Sequence, residues 1–212
     1  MRAHTAETQA TVTPARALEF LKEGNQRFVN NLKYNRNLLE QVNDTKDGQW
    51  PFAIVLSCID SRTSAELIFD QGLGDIFSAR IAGNVLNEDI LGSMEFACKV
   101  AGSKLIVVLG HSKCGAIKGA CAGVKMGNLT GLLNKVNPSI EEVKEEMPGV
   151  ESSDPTFVEA VSHHNIIHTL DAILEKSEVL RELFEQGEIG IAGGYYDVET
   201  GEVEFTKAVL HD

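Results

Sequence analysis

Two runs of the chain carry no polar residue at all: Phe52-Ala53-Ile54-Val55-Leu56 and Leu105-Ile106-Val107-Val108-Leu109. A strand with one wet face alternates apolar and polar residues. A continuous apolar, β-branched run instead suits a strand covered on both faces, as in a parallel sheet. Between the two runs the pattern predicts helices over residues 64–69 and 89–101 and a short strand over 76–81. The order β-α-β-α-β predicts an α/β fold: a central, mostly parallel β-sheet flanked by helices, with right-handed crossovers.

Outside this core the signals are more local. Residues 1–12 are polar and threonine-rich and are expected to be a disordered lead-in. Thr13 followed by Pro14 is a helix start, an N-cap with proline at the first helical position. Leu18, Leu21 and Phe28 follow at helical spacing, which predicts an N-terminal helical arm over 13–31, suited to packing on a partner subunit. Further helices are expected from 115 to 125, over 140–147 as an exposed acidic helix, and from Asp154-Pro155 to about residue 184. A strand over 189–192 and a terminal hairpin over 195–205, turning at Glu199-Thr200-Gly201, complete the chain. No repeat, linker or low-complexity block divides the 212 residues, so 1–212 reads as a single domain.

Composition narrows the partners. A hydrophobic share of 43% and a charged share of 24% are ordinary for a soluble protein. The net charge of −12 disfavours phosphate backbones and anionic lipid, so neither nucleic acid nor membrane is an expected partner. A small neutral substrate is not repelled by it. The N-terminal stretch has no apolar signal core and no spanning segment occurs, so the default expectation is a cytoplasmic protein.

Four cysteines are too few for a disulfide scaffold in a chain of this size. Cys58 follows the first strong strand, His111 follows the second, and Cys114 comes three residues later. Ligands gather at the carboxyl ends of parallel strands, so neighbouring strands would bring the three together. Two thiolates and an imidazole suit zinc and leave its fourth position open. The plainer readings are a pair of core cysteines, since H-x-x-C alone is a weak signal, or a Cys58–Cys114 disulfide. Close to Cys58, Asp60 could reach such a metal or its water, and Arg62 could hold Asp60 through a bidentate fork; a structural ion pair is the alternative. Cys98 and Cys121 are expected in the core. Of His163, His164 and His168, only His164 and His168 share a helix face, and an ordinary satisfied or exposed role is expected.

Cys58-Ile59-Asp60-Ser61-Arg62 and Gly110-His111-Ser112-Lys113-Cys114-Gly115 resemble the paired signatures of the β-carbonic anhydrases, in order and at the family's separation. Arg80-Ile81-Ala82-Gly83-Asn84 resembles the family's segment lining the active site, and the likeness runs from about Thr13 to Phe205. The resemblance implies reversible hydration of carbon dioxide to bicarbonate, with one zinc per subunit on Cys58, His111 and Cys114. It implies that Asp60 accepts a hydrogen bond at the open metal position while Arg62 holds it off the metal. It places Gln49, nine residues before Cys58, as an amide donor to bicarbonate, with Phe77, Ala82 and Phe96 around the carbon dioxide and Gly83 and Gly115 at the substrate. Gln49 points to the open-site type without bicarbonate regulation, although Trp50 stands next to it. A homodimer or dimer of dimers is implied too. The alternatives are a zinc hydrolase of carbonyl sulfide or carbon disulfide on the same scaffold, and a non-catalytic zinc-binding protein in which Asp60 closes the site.

Overall fold

Five strands form one sheet: β1 (Ala53–Ser57), β2 (Ile76–Arg80), β3 (Leu105–His111), β4 (Gly190–Tyr196) and β5 (Val203–Val209). The structure, a computed structural model, describes residues 3–210. Their order across the sheet is β2-β1-β3-β4-β5; the first four are parallel and β5 returns antiparallel along β4. Every residue of β1, β3 and β4 is buried, as the continuous apolar runs require, whereas the edge strands β2 and β5 alternate.

Ten helices surround this sheet among the described residues: α1 (Ala6–Ala10), α2 (Pro14–Val29), α3 (Leu38–Thr45), α4 (Ala65–Ile68), α5 (Glu88–Glu95), α6 (Gly115–Cys121), α7 (Gly127–Leu133), α8 (Asn137–Glu146), α9 (Pro155–Lys176) and α10 (Glu178–Glu185). Side chains alternate across a strand, so the two sheet faces carry different core residues. Val55, Val107 and Leu109 meet Leu18 and Leu21 of α2. Ile54, Leu56, Ile106 and Val108 meet Ile166, Leu170 and Ile173 of α9, with Leu180 and Leu183 of α10. Each such aliphatic side chain, fully buried, contributes roughly 1.5–3 kcal/mol. Gly110 lets α9 close on β3: a Cβ there would stand 2.7 Å from Ile166 Cδ1.

Several expectations change. The lead-in expected to be disordered contains α1, capped by Thr5, and Gln9 Nε2 donates to the carbonyls of Pro51 and Ala101, each at 2.8 Å. Those two bonds tie it to the sheet's amino end; residues 1–2 of that stretch lie outside the described residues. The helix expected over 89–101 becomes α5 followed by a wider π turn at Phe96–Val100. The long helix expected to reach residue 184 breaks at Ser177, whose hydroxyl caps α10. The strand expected over 189–192 extends to Tyr196. Helices α3 and α7 were not expected. The arm itself, with Thr13 as N-cap and Pro14 opening it, lies as expected.

Candidate active site

The strand order places β1 between β2 and β3, so the chain leaves β1 toward one side and returns to β3 on the other. A crevice opens outside the carboxyl ends of strands at such a switch point. Cys58 follows β1 there, His111 ends β3, and Cys114 stands immediately before α6. One ligand atom from each lies within 4.8 Å of the others, and all three residues are buried. Among the described residues this is the one such set of three or more metal-ligating groups.

The geometry discriminates between the readings that the sequence left open. The Cys58 and Cys114 sulfurs are 3.9 Å apart, against about 2.05 Å for a disulfide. Two sulfurs on a tetrahedral zinc, each at about 2.3 Å, would stand about 3.8 Å apart. His111 Nδ1 lies 2.9 Å from the Ser112 carbonyl, which fixes the proton on that nitrogen. His111 Nε2 is then an acceptor, buried and without a hydrogen-bond partner among the described residues, and it faces into the set. A buried lone pair with no donor is what a metal would satisfy. The donor set therefore fits zinc.

Electrostatics separates these cysteines from the others. A hydrogen bond from Cys114 pulls the Cys58 thiol down against the opposing effect of burial, helped by the Gly83 N–H at 3.3 Å. Cys114 shifts the opposite way, through the same bond and its burial, so the pair gives up one proton easily and a second one reluctantly. Cys98 is pushed up to about 12 and half-buried Cys121 to about 11, both by burial; they remain thiols.

Asp60 and Arg62 form the expected fork. Arg62 Nε donates to Asp60 Oδ1 at 2.9 Å, Nη2 to Oδ2 at 2.8 Å, and the Arg62 backbone N–H to Oδ1 at 3.0 Å. The guanidinium holds the Asp60 carboxyl well below the usual carboxylate range. Two supporting residues have no role assigned from the sequence, although Arg80 opens the segment that resembles the family's active-site lining. Arg80 donates to the carbonyls of Cys58 and Asp60 at 3.0 and 2.6 Å, and Thr63 Oγ1 donates to the same two at 3.0 and 2.9 Å. The signal for Arg80 was its place in that segment; the structure puts it at the end of β2, opposite Ser57.

The remaining residues divide. Ala82 and Gly83 form a tight turn against the cluster, and Gly115 opens α6 beside Cys114. Phe77 lies opposite Ile54, well before the carboxyl end of β1, and its ring meets Phe96 edge-on at 6.3 Å. These two phenylalanines line an open recess of about 650 Å³ that contains none of Cys58, His111 and Cys114. Gln49 is exposed and precedes β1 at the sheet's amino end, a strand's length of roughly 17 Å from the cluster. The structure thus does not bring Gln49, Phe77 or Phe96 to the cluster of their own chain, because strand direction sends them elsewhere. His164 and His168 share a face as expected, and both contact Glu142 of α8, at 3.1 and 2.9 Å.

A buried two-sulfur, one-nitrogen set at a sheet switch point, beside a carboxylate held by arginine, defines a candidate metalloenzyme centre. The sequence profile of the family described as carbonic anhydrase matches residues 53–203. The chain is 35% identical to carbonic anhydrase 2 of Mycobacterium tuberculosis over 200 residues, covering 94% of this chain and 93% of that protein. The solved β-carbonic anhydrase CcaA superposes with a TM-score of 0.73 at 27% identity, over 90% of this chain and 95% of that one. A tetrameric β-carbonic anhydrase from Sordaria macrospora shares the fold, with a TM-score of 0.71 at 22% identity over 77% and 85% of the two chains. The chain belongs to the β-class carbonic anhydrase family. It is accordingly an enzyme that interconverts carbon dioxide and bicarbonate. Among the described residues no helix is long and apolar enough to cross a membrane.

Proposed function

We propose that Cys58, His111 and Cys114 hold one zinc ion and that the site is of the open type, with Asp60 kept off the metal. The observation that carries the second point is the Arg62 fork, which occupies both Asp60 oxygens. Zinc held there supplies a Lewis acid that brings the pKa of a coordinated water toward about 7. Asp60, anionic at every working pH, can only accept. It accepts a hydrogen bond from the attacking oxygen, whose other proton has already gone to solvent, and so leaves a lone pair of that oxygen facing the carbon of carbon dioxide; the hydrogen that Asp60 holds stays with the bicarbonate. Arg80 and Thr63, by bonding the carbonyls of Cys58 and Asp60, fix ligand and carboxylate relative to each other.

Ala82, Gly83 and Gly115 line the substrate position on this chain's side. Gln49, Phe77 and Phe96 belong in this proposal to the site of a neighbouring copy, in a homodimer or a dimer of dimers. The support is the outer edge of β2, which no described residue pairs, flanked by exposed apolar side chains, Phe96 at 51% exposure among them, which is a surface that pairing would cover. The tetrameric relative from Sordaria macrospora agrees with such an assembly. A reducing cytoplasm suits the two ligand thiols.

Metal analysis together with stopped-flow hydration against pH tests the reading. One zinc per chain and hydration already present near neutral pH are expected. Activity confined to alkaline pH would mean that Asp60 closes the metal. Full zinc with no hydration at any pH would leave the sulfur-substrate hydrolase or the structural zinc protein.

A further inference from the structure

The turn at Ala82–Asn84 is conformationally costly. Gly83 and Asn84 both have left-handed backbone, with φ of 71° and 43°. Glycine adopts this freely, but an asparagine does so less readily, and the buried Asn84 Nδ2 has no hydrogen-bond partner among the described residues to repay it. The turn is held from outside, by helix α9. Asn165, 3% exposed, donates from Nδ2 to the Gly83 carbonyl at 2.9 Å, and Thr169, one turn further on, lies 3.5 Å from the Asn84 carbonyl. The Gly83 N–H in turn lies 3.3 Å from Cys58 Sγ. The line Asn165–Gly83–Cys58 therefore runs from the core helix to a ligand sulfur.

We propose that Asn165 is a positioning residue of the metal centre: by holding the Gly83 carbonyl, it keeps the Gly83 N–H on the Cys58 thiolate. This rests on the reading of the cluster as a zinc site. Two thiolates donate enough charge to make zinc a weak Lewis acid, and an N–H bonded to sulfur draws part of that charge away. The same bond fixes the sulfur before the metal arrives. Removing such outer partners costs 10–100-fold in metal affinity or activity. Thr169, with its longer contact, contributes little.

The test follows zinc release from the zinc-loaded full chain to a chromogenic chelator, together with the pH dependence of kcat/KM, for wild type, Asn165→Ala and Thr169→Val. Asn165→Ala is expected to release zinc about 10-fold faster. The acidic limb of its pH profile should move to higher pH, because a sulfur freed of its donor leaves the zinc less acidic. Thr169→Val should match wild type in both. Wild-type release and an unshifted pH profile in a folded Asn165→Ala would overturn the proposal, and so would a loss of thermal stability with both of those readouts unchanged. Should Asn165→Ala not fold, Asn165→Ser is read in the same way, since its hydroxyl can bond back to its own helix but is too short to reach Gly83. A wild-type chain that takes up no zinc would overturn the reading of the cluster itself, an outcome distinct from any difference between variants.

Discussion

Arg62 grips Asp60 through two parallel N–H···O bonds, 2.9 and 2.8 Å long, only two residues along the chain. Such a fork fixes the plane of the carboxylate as well as its charge. Arg62→Ala is therefore expected to leave zinc content unchanged and to lower carbon dioxide hydration by about 10²-fold, the scale for losing one preorganised polar group. Stopped-flow rates equal to wild type would show that the fork is only structural.

The pH dependence of this pair has a definite sign. The folded carboxyl of Asp60 lies below its unfolded value, so its contribution to stability is complete above about pH 4 and drains away as pH falls. In Arg62→Ala that acid-side loss should shrink. Urea midpoints measured between pH 3 and 6 for the two proteins check it: parallel curves would contradict the pairing.

A second ion-pair centre anchors the N-terminal arm. Asp70 receives Arg27 Nε at 2.6 Å, Arg36 Nη1, and the Tyr34 backbone N–H at 3.2 Å. Burial opposes its ionisation, yet these donors hold the carboxyl below the ordinary range. The Asp70 and Arg36 side chains are 3% and 7% exposed, so Asp70→Ala strands a buried guanidinium. The expected loss is about 3–5 kcal/mol by chemical denaturation. A loss below about 1 kcal/mol, the scale of a surface pair, would mean that water reaches Arg36 in the folded protein.

Metal ligation is tested by His111→Ala and Cys114→Ser. Both are expected to emerge from dialysis without zinc and without hydration activity, while Cys98→Ser keeps both, since Cys98 is a buried thiol pushed up to about 12. Retention of zinc in Cys114→Ser would remove that residue from the ligand set.

Phe96→Asp tests the assembly. It places a charge on the exposed apolar recess beside β2. Light scattering should report a smaller species, and hydration should fall if Phe96 completes a partner's site. An unchanged mass would move the subunit contact elsewhere.

By itself the sequence determined the two central strands, because unbroken apolar runs have few other homes, and it placed Cys58, His111 and Cys114 at their ends. It also determined the start of α2, where Thr13 and Pro14 act within one turn, and the Asp60–Arg62 pair, whose members are neighbours. Helices α3 and α7 are not legible locally because both are short: α3 has eight residues and only Leu38, Leu39 and Val42 as apolar positions, and the seven residues of α7 include Gly127 and Gly131. The break at Ser177 is set by a hydroxyl cap within a pattern that otherwise reads as continuous helix. Tertiary structure alone decided the rest. Asn165 meets Gly83 across 82 residues and Arg36 meets Asp70 across 34, and it is packing that brings such distant donors and acceptors together. The same holds for Gln49, Phe77 and Phe96: the family resemblance placed them at the substrate, and strand direction keeps them away from the cluster of their own chain.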